Sequence, residues 1–327
     1  MPIASFPATS LQPLIEERLV GVIREFEEEL ASPHPPVARL CRHVERYRGK
    51  MLRPTLAIVS GLAAGGAAAV GSRHERLGAV LELIHMATLV HDDILDEADV
   101  RRGGRTVNAE HGLDAAVLLG DYLISSAFHL CSRLGDPSLN EELGRVTGEL
   151  CAGELLQQEA RDRLDLPEGE LVEILRLKTG VLIGAAARTG AREAGGSPTV
   201  VRAMEAFGSA IGIAFQMQDD VLDLLGTEAD VGKSVGRDLA KGKLTLPLVL
   251  ARELSGPQGR ANLDDAVRAH DAMTVRRLVA ATGALEAARD RAAAFVESAR
   301  LQLRELEPSD AREVLEAMAA AVISRSR

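Results

Sequence analysis

Two stretches of this chain, residues 79–90 and 206–222, are apolar on nearly every side of a helical wheel. A helix of that kind has no face suited to water, so it must sit inside a bundle with other helices around it. Helical periodicity also covers most of the remaining chain. It predicts helices near 10–31, 37–47, 52–69, 74–98, 113–133, 138–163, 168–191, 198–226, 243–255, 262–269, 273–281, 284–305 and 308–324. The breaks between them carry Gly, Pro and Ser, as in "SPHPP" at 32–36, "GGSP" at 195–198 and "SGPQG" at 255–259. With no Trp, two Tyr and six Phe, the core has to be aliphatic. No linker stands out across the 327 residues, so residues 1–327 are expected to form one large all-α domain.

Composition narrows the function classes. The chain has 38 basic and 48 acidic residues, a net charge of −10. That argues against nonspecific nucleic-acid binding and leaves any polyanion to be held locally, by clustered cations or metal ions. Cys41, Cys131 and Cys151 make no paired spacing, which suits reduced thiols in a cytoplasmic protein. The start, "MPIASFPATSLQPLIEERLV", lacks the basic region of a signal peptide. The longest uncharged run, 54–72, is too weakly apolar for a membrane span, so membrane contact is expected to be peripheral at most.

Both apolar stretches run into an acidic triplet: Asp92, Asp93 and Asp96 in "HDDILD", and Asp219, Asp220 and Asp223 in "QDDVLD". At about 100° per residue, Leu81, His85, Thr88, Asp92 and Asp96 form one stripe. In the second segment Asp219 and Asp223 share a face with Gln216, behind which Gly212 and Gly208 leave room near the backbone. Carboxylates at a helix C-terminus oppose the macrodipole, and clustering adds repulsion. A hard cation relieves both, and oxygen-only donors suit Mg2+ completed by water and phosphate. Two such clusters are therefore expected to face each other and bind a diphosphate through Mg2+. A single triplet could be solvated helix surface, but two copies at the ends of apolar helices make that reading weak. A di-iron bundle would need two ExxH motifs, and only "ELIH" at 82–85 fits.

Cations follow the same segments. "GKMLRP" puts Lys50 and Arg53 beside Gly49 at a helix start, where the dipole favours anions. Arg101 and Arg102 come just after the first triplet. Lys178 and Thr179 lie inside an apolar helix, where a lysine is costly without a partner. Lys233, Lys241 and Lys243 follow the second triplet in a Gly-containing loop that lacks the P-loop spacing. Any one of these could be ordinary surface. Together they describe two phosphate sites, one bridged by metal and one held directly by Lys and Arg.

At these residues the chain resembles a trans-isoprenyl diphosphate synthase of the polyprenyl synthetase family. The matching segments, in the family's order, are "GKMLRP" (49–54), "ELIHMATLVHDDILDEADVRRGGRT" (82–106), "LLGDYL" (118–123), "GELLQ" (153–157), "KTG" (178–180), "FQMQDDVLD" (215–223) and "GKSVGRDLAKGKLTLPLVL" (232–250). The resemblance implies one all-α bundle around a deep central cavity, a homodimer, and three Mg2+ ions per site. It makes Asp92 and Asp96 the ligands of two ions with Asp93 in support, and Asp219 the ligand of the third with Asp220 and Asp223 beside it. It assigns Arg101, Lys178 and Lys233 to the allylic diphosphate, with Lys243 near it. Lys50, Arg53, His85 and Arg102 fall to isopentenyl diphosphate, and Thr179 and Gln216 to the developing carbocation. One departure is visible, since Arg48 stands where the family has the first of two glycines.

The implied reaction is head-to-tail condensation of isopentenyl diphosphate with an allylic diphosphate. Metal ions and cations neutralise the departing diphosphate, which then takes the released proton. The growing chain should run along the stripe above Asp92. Ala87 and Thr88 are small there, and "DDILD" lacks the two-residue insertion of bacterial farnesyl diphosphate synthases. A long product for a quinone side chain is expected, with Leu81, Ile84 and Phe128 as a floor. A short-chain synthase is the nearest alternative. A terpene cyclase would not need Lys50, Arg53 and Arg102, and a non-catalytic partner subunit should have lost aspartates.

Overall fold

A computed structural model describes residues 10–225, 239 and 241–324 of the chain. Among these residues the architecture is helical, apart from two strands of two residues each. The expected helices are present with shifted ends. They are α1 (Gln12–Leu30), α2 (Pro35–Val44, continued by a 3-10 turn Glu45–Tyr47), α3 (Leu52–Gly65) and α4 (Ser72–Leu95). After them come strands β1 (Val100–Arg101) and β2 (Gly104–Arg105), then α5 (Val107–His111), α6 (Leu113–Ser132) and α7 (Pro137–Glu159). The chain continues through α8 (Glu168–Leu175), a π turn (Arg176–Gly180), α9 (Val181–Glu193) and α10 (Pro198–Leu225). The last helices are α11 (Leu246–Leu254), α12 (Pro257–Arg268), α13 (Ala272–Thr282), α14 (Ala284–Gln302) and α15 (Asp310–Ser324).

These residues form two compact units. The first comprises the described residues up to Thr147, with Ala185–Glu205 and Glu305–Leu315. The second comprises Gly148–Gly184, the described residues of Ala206–Arg304, and those from Glu316 onward. Each is built from several separate segments, which is why no linker marks either in the sequence.

In the first unit α4 is the central element and packs against α6, α1 and α3. Its residues Leu83, Ile84, Met86 and Ala87 are buried almost completely, as its all-round apolarity requires. Each large aliphatic side chain contributes roughly 1.5–3 kcal/mol on burial. Acidic residues at the C-terminal end cost only about 0.3–1 kcal/mol each against the dipole. The core therefore holds the helix through Leu95 despite two aspartates in its last turn and a third at its C-cap.

Beyond α4 the chain makes features the periodicity did not predict. Val100 pairs with Arg105 and Arg101 with Gly104, antiparallel. Between them Arg102 and Gly103 both have positive φ, 51° and 78°. Two such residues make the mirror-image turn that matches the twist of a hairpin. Thr106 then closes the loop from both sides. Its hydroxyl donates to Ala98 O at 2.6 Å and accepts from Ala109 N at 3.3 Å, capping α5.

In the second unit α11 packs against α14, α13, α12 and α8. α10 approaches the π turn and the first residues of α9 backbone to backbone. A Cβ on Gly208 would lie 2.5 Å from Ile183 O, and one on Gly212 would lie 2.9 Å from Gly180 Cα. The room expected beside these glycines is thus filled by a neighbouring helix. α6 has a different character: it is long and apolar enough to cross a membrane, with 44% of its apolar window buried in the protein.

Candidate active site

In the first unit the residues of the first triplet divide. Asp92 and Asp96, four apart at the end of α4, are partly exposed on one face. Asp93 is 1% exposed and turns into the protein. Arg101 holds it: Nε donates to Oδ1 at 2.8 Å and to Oδ2 at 3.0 Å, and Nη2 lies 2.8 Å from Oδ1. Burial pushes the Asp93 carboxyl up, while Arg101 and a hydrogen bond from Tyr47 pull it down. Tyr47 is itself buried, its hydroxyl accepting from Val107 N at 3.1 Å and its ring lying 5.9 Å from the Arg101 guanidinium. The β1–β2 turn makes this grip possible, because it folds Arg101 back along α4.

A second group gathers around Glu82 and His85, about three and two helical turns before the triplet. Burial pushes the Glu82 carboxyl up, opposed by Arg53, Arg102 and Arg48 in that order. Burial lowers Arg53 to about 10, with Glu82 opposing. Arg102 is also lowered, by burial and then by Arg101. Burial sends His85 well below its ordinary value, with Arg53, Arg102 and Arg101 adding to the effect, so the ring is neutral. Its Nδ1 is buried and makes no hydrogen bond within the protein. Three guanidiniums, Arg53, Arg101 and Arg102, therefore meet two carboxylates, Glu82 and Asp93. The surplus is positive, which is what an anion site needs.

The loop before α3 fits around this group. Arg102 Nη1 donates to Tyr47 O, and a Cβ on Gly49 would come 2.5 Å from Arg102 Nη2. Gly49 is therefore small because Arg102 lies across it. Arg48, the departure from the family pattern, has φ −57°, which any residue adopts. Its Nη2 donates to Glu27 at 2.9 Å and its guanidinium lies 5.6 Å from the Phe26 ring. Lys50 is exposed beside them.

In the second unit the second triplet divides in the same way. Asp219 and Asp223 are partly exposed, whereas Asp220 is 2% exposed. Gln216 Nε2 donates to Asp220 Oδ1 at 3.2 Å, and Thr179 Oγ1 donates to Gln216 Oε1 at 3.3 Å. This relay fixes the Gln216 amide with its oxygen toward Thr179. Thr179 sits in the π turn, a widened turn that re-aims side chains and is frequent at functional sites. Lys178, in the same turn, pairs with Glu154 of α7. That answers the sequence-level requirement for a partner. Glu154 stands in the "GELLQ" segment, where no spacing along one helix points to it as the partner of Lys178. Asp162 N donates to Gly242 O at 2.9 Å, tying the segment of Lys241 and Lys243 to the end of α7. Lys233 lies outside the described residues.

The sequence reading put all six aspartates at metal. In the structure Asp93 and Asp220 are buried, with Arg101 and Gln216 against them, and Asp92, Asp96, Asp219 and Asp223 are partly exposed. The exposed residues of each triplet offer only carboxylate oxygen at i and i+4 spacing on one helix. Such donors fit a hard divalent ion that keeps water and phosphate in its shell.

A family model described as polyprenyl synthetase matches residues 34–283. A short chain isoprenyl diphosphate synthase of Methanothermobacter thermautotrophicus is 38% identical over 88% of this chain and 90% of its own. An octaprenyl diphosphate synthase of Escherichia coli is 32% identical over 96% of this chain and 98% of its own. Among solved structures, a polyprenyl synthase of Caulobacter crescentus, determined with calcium and isoprenyl diphosphate, superposes with a TM-score of 0.90 at 33% identity. That match covers 98% of this chain and 100% of the other.

Proposed function

Because the chain belongs to the polyprenyl synthetase family and is a trans-prenyltransferase using isoprenyl diphosphates and divalent metal, we propose that it is Mg2+-dependent and makes a long all-trans polyprenyl diphosphate. The observation that carries the site assignment is the division of both triplets. Each keeps two carboxylates partly exposed and buries the third, Asp93 against Arg101 and Asp220 against Gln216. Asp92 and Asp96 are the ligands in one unit, and Asp219 and Asp223 in the other. Three Mg2+ ions, if bound there as the family resemblance implies, supply the charge that makes diphosphate a leaving group.

The protein's own residues do the rest. Arg53, Arg102 and neutral His85 hold isopentenyl diphosphate, with Lys50 at the solvent edge. Neutral His85 donates one N–H without adding charge to a group of arginines already close together. Arg101 stays oriented by Asp93 and presents its remaining N–H groups to the allylic diphosphate. Lys178 exchanges Glu154 for a phosphate oxygen. The oxygens of Thr179 and Gln216, held by Asp220, present the negative ends of their dipoles to the allylic cation. The departing diphosphate takes the proton that completes the new double bond.

Product length is proposed from the first unit. A small, mainly apolar cleft is lined by Leu77, Leu81, Cys131 and Leu143, among others. Leu81 lies eleven residues before Asp92, about 17 Å along the helix at 1.5 Å per residue. At roughly one helical turn per isoprene unit, about three units reach Leu81, and the cleft continues to Leu77. Ile84 is 1% exposed and Phe128 half-buried, and neither is part of that lining. Of the expected floor residues, Leu81 alone lines the cleft.

A homodimer is part of the proposal. Leu113, Val117 and Leu118 near the start of α6 are 56%, 40% and 66% exposed, apolar surface that suits a second copy. A cytoplasmic location is supported by three thiols without a disulfide. Incubating the purified chain with labelled isopentenyl diphosphate, several allylic starters and Mg2+, followed by product sizing, tests the reading.

A further inference from the structure

We propose that His43, Glu110 and His111 form a binding site for one late first-row divalent ion of the Zn2+ type, separate from the aspartate triplets. One ligand atom from each residue lies within 4.8 Å of the others. His43 Nδ1 is 3.6 Å from Glu110 Oε2, and His111 Nε2 is 3.7 Å from Glu110 Oε1. The two rings meet edge to face with centroids 5.2 Å apart. Metal bonds of about 2.0–2.1 Å in a tetrahedron put ligand atoms about 3.3 Å apart, so small side-chain rotations close the site.

His43 gives the direction. It is 4% exposed, and its Nε2 lies 2.9 Å from Arg105 O. A carbonyl only accepts, so Nε2 carries a proton, and Nδ1 lies 3.6 Å from the Glu110 carboxylate. The space between those two atoms suits a cation, and the second imidazole, His111, makes a metal ion the better fit there. A ligating histidine whose other nitrogen is held by a backbone carbonyl has the orientation that metal sites use. The two nitrogens also set the preference. Imidazole suits Zn2+, whereas Mg2+ keeps to oxygen. The triplets and this site therefore take different ions. Glu110 is 41% exposed, which leaves an entry path and a position for water.

The site has a structural consequence. His43 belongs to α2, Glu110 and His111 to α5, and Arg105 to the hairpin that carries Arg101 and Arg102. An ion here links α2 to α5 and stiffens the turn that sets both arginines.

The test uses chelator-treated full-length protein titrated with Zn2+ in excess Mg2+, followed by calorimetry and thermal unfolding. His111→Ala and Glu110→Gln change exposed or half-buried positions and leave the core intact; His43→Gln is a third variant. One Zn2+ per chain is expected for the wild type, with binding at least about tenfold weaker in each variant. Zn2+ should raise the unfolding temperature of the wild type alone. Co2+ in place of Zn2+ should give the visible absorption of a nitrogen-ligated ion, lost in His111→Ala. No Zn2+ uptake in the presence of Mg2+, or uptake unchanged by His111→Ala and Glu110→Gln, overturns the proposal.

Discussion

Arg101 grips Asp93 with Nε and Nη2, each 2.8 Å from Oδ1, while Asp92, one residue earlier, stays partly exposed. Adjacent carboxylates on one helix thus have different work. Asp93→Asn leaves Arg101 without its counter-charge in a mostly buried setting, which should cost about 2 kcal/mol, at the lower end because Arg101 keeps some contact with water. Asp92→Ala changes a partly exposed side chain at a helix end, where acidic charge opposes the dipole, and should leave stability within about 0.5 kcal/mol. Urea unfolding of the two variants checks this. Equal losses would mean that Asp93 is not the structural member of the triplet.

Gly212 lets α10 lie against the π turn, and a methyl there would come 2.9 Å from Gly180 Cα and 3.3 Å from Thr179 O. Those are backbone atoms, so the turn must shift. Gly212→Ala should cost about 1–3 kcal/mol. It should also lower turnover, because Thr179 loses its alignment with Gln216. A fully stable and active Gly212→Ala protein would show that the contact can relax.

His85 sets a pH dependence. Its folded value lies well below the ordinary 6.5 through burial and then Arg53, Arg102 and Arg101. Between that folded value and 6.5 the unfolded chain binds more protons than the native one. Its contribution to stability is therefore complete above 6.5 and is lost as pH falls through the folded value. His74, lowered by burial in the same direction, adds a second contribution of this sign. The unfolding temperature should drop from about pH 7.5 to about pH 5.5, and His85→Gln should reduce that slope without abolishing it. An unchanged slope in His85→Gln would assign the effect elsewhere.

Ala87 and Thr88 were expected to act alike on product length, but the structure separates them. Ala87 is fully buried, so Ala87→Phe overpacks the core and should cost about 1–3 kcal/mol or more. Thr88 is partly exposed, its hydroxyl donating to His85 O at 2.8 Å. Thr88→Phe should shorten the product by several isoprene units with little loss of stability. Product chromatography reads the outcome; unchanged length would place the growing chain along another face.

The long helices were legible because α4 and α10 are apolar all round and leave no alternative to burial. The aspartates were legible because a repeated acidic triplet at a helix end needs a cation. The hairpin was missed because its turn uses Arg102-Gly103 rather than an Asn-Gly pair. α5, at five residues, is too short for a period to show. The π turn adds width without changing local composition, so no spacing betrays it. The anchoring of Asp93 depends on Arg101 returning across that hairpin. The partner of Lys178 is Glu154 on another helix. Both contacts are tertiary, and helical spacing along one element does not encode them.

The most direct test of the account measures incorporation of labelled isopentenyl diphosphate by wild type, Asp92→Ala and Asp219→Ala at saturating Mg2+, with the unfolding temperature recorded for each. The account predicts that turnover falls by orders of magnitude in both variants while the unfolding temperature stays near that of the wild type. Full turnover in either variant would contradict the assignment of the outward carboxylates to metal and diphosphate.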